Sequence, residues 1–126
     1  MIKEIRLKLI EIARQQTTWT YSTLNEQLML GLSFKNDYDR NLIGEWLGEI
    51  SEHEFNCNRP LLSCLITHKN GLREQGDGFY KLCERLYGDQ EWQSLKANKK
   101  WEKGLIAECY EYWLNPINYK NFKNDF

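Results

Sequence analysis

His53 and Cys57 stand four residues apart and bring a thiol and an imidazole into one short stretch. A nucleophilic cysteine needs an ordered base and a site for the oxyanion. A loop cysteine four residues from a histidine meets neither need by spacing alone. His68 is the only other histidine, and no G-x-S-x-G, H-E-x-x-H or P-loop pattern occurs. With 18 acidic residues, neighbouring carboxylates are unavoidable, so their pairing carries no signal. No catalytic residue is assigned, and a chain without enzymatic activity is expected. Cys57, Cys64, Cys83 and Cys109 are separated by 7, 19 and 26 residues, with no C-x-x-C pair. That spacing argues against a zinc site, and neither metal nor cofactor is expected. A reduced compartment fits better than a disulfide framework. Cys83 and Cys109 fall among apolar positions of predicted helices, as small hydrophobes for a core.

Binding chemistry is easier to find. Glu45, Glu49 and Glu52 recur at i, i+4 and i+7, and Glu54 continues the stripe. A row of carboxylates suits a basic partner and repels the phosphates of a duplex groove. Against it stand Arg40 and Asn41 just upstream, with Lys69 and Arg73 further on, as the candidate nucleic-acid contacts. The net charge of −1 is unevenly spread: residues 1–20 carry +2, residues 21–95 carry −5 and residues 96–126 carry +2. A duplex binder concentrates basic charge, whereas the middle of this chain has the opposite sign. Trp19, Tyr38 and Phe55 lie near the stripe, either as anchors for a partner or as core.

The elements that must position these residues are mostly helical. At 126 residues the chain has the length of one domain: a core over about 2–88, a helical extension over about 89–114 and a tail over 115–126. Ile2, Ile5, Leu9 and Ile12 predict an amphipathic helix over about 2–15. Thr20 or Ser22 can cap a second helix carrying Leu24, Leu28 and Leu30, with Gly31 at its C-terminus. Asn36 or Asp37 can cap a third over about 38–53, whose apolar face is Ile43, Trp46, Leu47 and Ile50. Gly44 and Gly48 on that helix either admit a close neighbour or are merely tolerated. "LLSCLITH" after Pro60 reads as a buried strand, Asn70-Gly71 as a hairpin turn and "LREQ" as the return strand. Asp77 is a candidate N-cap for a fourth helix that Gly88 closes. Trp92 to Trp113 is one helix or two, ended by Asn115-Pro116, and the aromatic tail either frays or docks. The expected class is α+β, mostly helical. Three helices and a β-hairpin form a winged-helix-like core, with helices added at the C-terminus.

The order of motifs over residues 18–72 resembles the winged-helix domain of alkyltransferase-like DNA-repair proteins. Thr20-Tyr21 matches the helix entry, and a Pro-led strand and glycine-containing turn follow. The reactive Pro-Cys-His-Arg of that family is replaced here by "RPLLSC", so alkyl transfer is not implied. Over residues 18–113 the chain also resembles a set of small, functionally unassigned bacterial proteins. Tyr21, the "RPLLS" of residues 59–63, the "GDGF" of residues 76–79 and the Tyr110-x-x-Trp113 ending carry this likeness. By size and type it is similar to the immunity proteins encoded beside bacterial toxins. That likeness implies a non-catalytic antitoxin that occludes the site of a basic cognate toxin, a nuclease. The alternative is a winged-helix DNA-binding regulatory protein. No apolar run reaches the length of a membrane span, and the N-terminus lacks the continuous apolar stretch of a signal peptide. A cytoplasmic protein with no membrane partner is expected.

Overall fold

The computed structural model describes residues 1–68 and 76–126. In chain order the elements are α1 (Ile2–Arg14), β1 (Trp19–Thr20), α2 (Tyr21–Gln27), α3 (Asp37–Asn56), a 3-10 turn (Leu62–Leu65), β2 (Ile66–Thr67), α4 (Asp77–Tyr87), α5 (Trp92–Ala97), α6 (Lys99–Leu114) and α7 (Pro116–Phe122). The class is α+β and mostly helical. β1 and β2 pair in parallel, Trp19 opposite Ile66 and Thr20 opposite Thr67. The expected turn at Asn70-Gly71 and the return strand "LREQ" lie outside the described residues.

α1 buries Ile5, Arg6, Leu9, Ile10, Ile12 and Ala13, more of its circumference than a single stripe. It packs against α6, the 3-10 turn and α3, so it is the central helix. Trp113 of α6 and Leu61, Leu62 and Leu65 around the 3-10 turn are fully buried in the same cluster, which also takes Leu24, Ile43, Leu47, Ile50, Tyr80, Cys83, Leu95 and Cys109. The C-terminal helices therefore contribute to this core rather than decorate it. Among the described residues, no helix is long and apolar enough to cross a membrane.

Local signals explain most boundaries. The Thr20 hydroxyl accepts from the Thr23 N–H at 3.1 Å and starts α2. The Asn36 side chain accepts from the Tyr38 N–H at 2.8 Å and starts α3. Asn98 ends α5 and caps α6 by accepting from the Trp101 N–H at 3.0 Å, so the Trp92–Trp113 region is two helices. Gly88 closes α4 at φ 72°, the left-handed conformation that favours glycine.

Four expectations change. The buried strand at "LLSCLITH" is only two residues long, and Leu62–Leu65 coil into a 3-10 turn. A strand needs a ladder partner for its backbone, and β1 supplies only two residues. The Ser63 N–H instead donates to the Ser51 hydroxyl of α3 at 3.0 Å. α2 ends at Gln27, so Leu30 and Gly31 lie beyond it, and Met29 takes a left-handed φ of 52°. Gly76, not Asp77, is the N-cap residue of α4. Asp77 occupies its first turn and pairs with Lys96 at 2.6 Å. Trp46 is half-buried on α3, and the fully buried tryptophan is Trp113.

Candidate functional site

The outer surface of α3 follows from its inner one. Ile43, Leu47 and Ile50 point into the core, so Glu45 and Glu49, offset around the helix, are left exposed. Neither has an ion-pair partner among the described residues. Glu52, one turn on, is half-exposed and meets Arg85 of α4 at 3.3 Å. In the next turn Phe55 packs edge-on against Tyr87 at the end of α4, with ring centroids 5.5 Å apart. Phe55 and Tyr87 form one wall of a groove of about 540 Å³. Glu108, Glu111 and Tyr112 of α6 also line the groove, with Asn58, Arg59, Pro60, Asn115 and Asn118. Arg59 is the one cation among the described residues that line this groove. Its charge is already matched by Glu54 and Asp125. Burial pushes the phenols of Tyr87 and Tyr112 up. The result is a row of carboxylates running into a groove with an acidic wall and aromatic rings, suited to extended cationic side chains.

Glu54 does not belong to this surface, contrary to the expectation that it continues the stripe. It is completely buried. Its carboxylate accepts from Arg6 Nε at 3.0 Å and from Arg59 Nε at 2.9 Å, with each guanidinium adding a second, longer contact. Two positions past Glu52, a residue on a helix has turned by about 200°, from solvent to core. The arginines then hold the C-terminal tail. Arg6 donates to the carbonyls of Lys123 at 2.6 Å and Phe122 at 3.0 Å. Arg59 donates to the Asp125 carboxylate at 2.7 Å. Arg6 and Arg59 were missed at the sequence level. A charged residue on the apolar side of α1 was the available signal, because a buried charge requires a partner.

The tail docks on the body through its half-buried side, with none of its residues fully buried. Asn115 caps α7 by accepting from the Ile117 N–H at 2.9 Å, and Pro116 takes the first helical position. Tyr119 donates to Glu11 at 2.7 Å, and the Arg14 guanidinium lies 3.8 Å from the Tyr119 ring centre.

Docking brings Asp125 to His53 and Cys57. Cys57 Sγ lies 4.0 Å from His53 Nε2, and the same nitrogen meets the Asp125 carbonyl at 3.0 Å. A nucleophile, base and orienting acid require the thiol and the acid on different ring nitrogens. These contacts converge on one nitrogen, so the arrangement is not that of an activated cysteine. One ligand atom from each of the three side chains lies within 4.8 Å of the others.

Of the candidate nucleic-acid contacts, Arg40 and Asn41 lie among the described residues. The Arg40 guanidinium pairs with Asp37 and donates to the Phe34 carbonyl at 2.7 Å. Asn41 is exposed beside it. Asp37 and Asp39 place two carboxylates in the same first turn of α3. Lys69 and Arg73 lie outside the described residues. Tyr38 is 71% exposed, while Trp19 is half-buried with Lys8 Nζ 5.5 Å from its ring centre.

The fold and this face define a mostly helical α+β domain carrying an acidic, aromatic groove. No protein-family model, curated protein or solved structure matches the chain.

Proposed function

We propose that this chain is a non-catalytic binding protein for a basic protein partner, acting as an immunity protein that occludes the site of a cognate bacterial toxin. The continuity of exposed Glu45 and Glu49 and half-exposed Glu52 with the groove of Phe55, Tyr87, Glu108, Glu111 and Tyr112 carries this reading. Enzymes that act on nucleic acids commonly display basic surfaces, because their substrates are polyanions. A carboxylate row accelerates encounter with such a surface, and aromatic rings in a groove anchor the complex. Occlusion needs no reacting group, in keeping with the single-nitrogen arrangement at His53.

The test is co-purification and co-expression with the product of the adjacent gene in the native host. A one-to-one complex with a basic domain, together with loss of its toxicity, is the expected result. Replacing Glu45, Glu49 and Glu52 by Lys is expected to abolish binding and leave the thermal melt in place. Unchanged affinity in that triple variant would remove the stripe from the interface.

The second reading is a winged-helix regulator that binds DNA. The order of α1, α2 and α3 ahead of β2 supports it. The acids beside Arg40 and along α3 weigh against it. Recovery of nucleic acid that salt releases, in place of a protein partner, would favour this alternative.

A further inference from the structure

We propose that His53, Cys57 and Asp125 form a binding site for a divalent cation of the zinc class. Imidazole, thiolate and carboxylate are each ligands of that ion, and three protein ligands with one open position make a recognised coordination set. The bonds to sulfur and nitrogen, about 2.3 and 2.1 Å, together span the 4.0 Å between Cys57 Sγ and His53 Nε2. An ion between them takes Nε2 in place of its contact with the Asp125 carbonyl. Cys57 and Asp125 are exposed and His53 is half-buried, so solvent and ion have access.

The surroundings fit a cation in two further ways. Cys57 is the C-cap residue of the 20-residue α3, where the helix dipole presents its negative end. Arg59 Nη1 donates to Asp125 Oδ2 at 2.7 Å, while its Nε and Nη2 donate to the Glu54 carboxylate. A ligating carboxylate is ordinarily held by such an outer hydrogen bond. On binding, the Cys57 thiol proton leaves to solvent and the sulfur–metal bond forms. The ion then ties the tail to the end of α3, beside the ties made by Arg6 and Arg59. This site stands independently of the proposed partner surface.

The experiment is a titration of the metal-free, reduced full chain with Co²⁺ and, separately, with Zn²⁺. One equivalent is expected to bind, with a near-ultraviolet thiolate-to-cobalt charge-transfer band and the intense visible absorption of tetrahedral cobalt. Cys57→Ser is expected to abolish the charge-transfer band. His53→Gln and Asp125→Asn are each expected to weaken binding more than about 10-fold, the scale reached even by outer-shell changes. Zn²⁺ is expected to raise the thermal midpoint of the parent chain and not that of Cys57→Ser. Absence of one-to-one binding, or a cobalt spectrum without the thiolate band, would overturn the proposal. So would a band that survives Cys57→Ser, since it would place the ion on another cysteine.

Discussion

Glu54 separates two roles for acids on one helix. Its neighbours in the stripe face water, whereas Glu54 is enclosed between two arginines whose side chains are 1% and 3% exposed. Removing its charge leaves two buried cations uncompensated. Glu54→Gln is therefore expected to destabilise the fold by about 3–5 kcal/mol, measured by chemical denaturation. Glu49→Gln on the exposed side is expected to stay within about 0.5 kcal/mol. The cysteines divide in the same way. Burial pushes the Cys83 thiol up to about 12. Cys64 is also pushed up, by hydrogen bonding with Cys109 and by burial. Cys57 alone of the four is exposed. A thiol reagent at neutral pH is expected to label one cysteine rapidly in the native protein and all four in denaturant. Rapid labelling of a second thiol would show that the core opens around the 3-10 turn, α4 or α6.

At the scale of elements, α3 is held by its buried face and not by its local preferences. Gly44 and Gly48 lie within it, and a Cβ at either position would meet nothing within 4 Å among the described residues. They are tolerated and do not admit a close neighbour. Gly44→Ala and Gly48→Ala are each expected to stabilise the protein by about 1 kcal/mol, read as a rise in the thermal midpoint. A fall would indicate that a neighbour or partner uses that space. The segment after Pro60 shows the reverse balance. Its apolar, partly β-branched composition favours a strand, yet a 3-10 turn forms because α3 supplies Ser51 to its backbone.

For the whole molecule, three arginines join distant parts of the chain. Arg6, Arg14 and Arg59 reach across the chain to Phe122, Trp113 and Asp125. Arg59 holds the Asp125 carboxyl below the usual carboxylate range, chiefly through their hydrogen bond. A depressed folded-state value contributes stability that is fully present above the unfolded value of about 3.9 and is lost as pH falls through the folded one. In metal-free protein, Asp125→Asn is expected to be less stable than the parent near neutral pH. That deficit should shrink on acidification below about pH 4. Thermal melts across pH 2–7 measure it, and a deficit independent of pH would mean that the carboxylate charge does not hold the tail.

Periodicity and capping chemistry, both local, were legible in the sequence. The apolar repeat of Ile43, Leu47 and Ile50 and the caps at Thr20 and Asn36 placed α2 and α3, and Gly88 ended α4. The exposure of Glu45 and Glu49 followed from the same repeat. Tertiary structure decided the rest, because it depends on partners distant in the chain. Glu54 changes from surface acid to buried anchor only when Arg6, 48 residues away, closes on it. The groove exists only where the ends of α3 and α4 meet α6 and α7. His53 and Cys57 gain a third ligating side chain only because the tail folds back and lays Asp125 beside them. A one-dimensional pattern records which face of an element is apolar. It does not record which charged group will be enclosed when those faces come together.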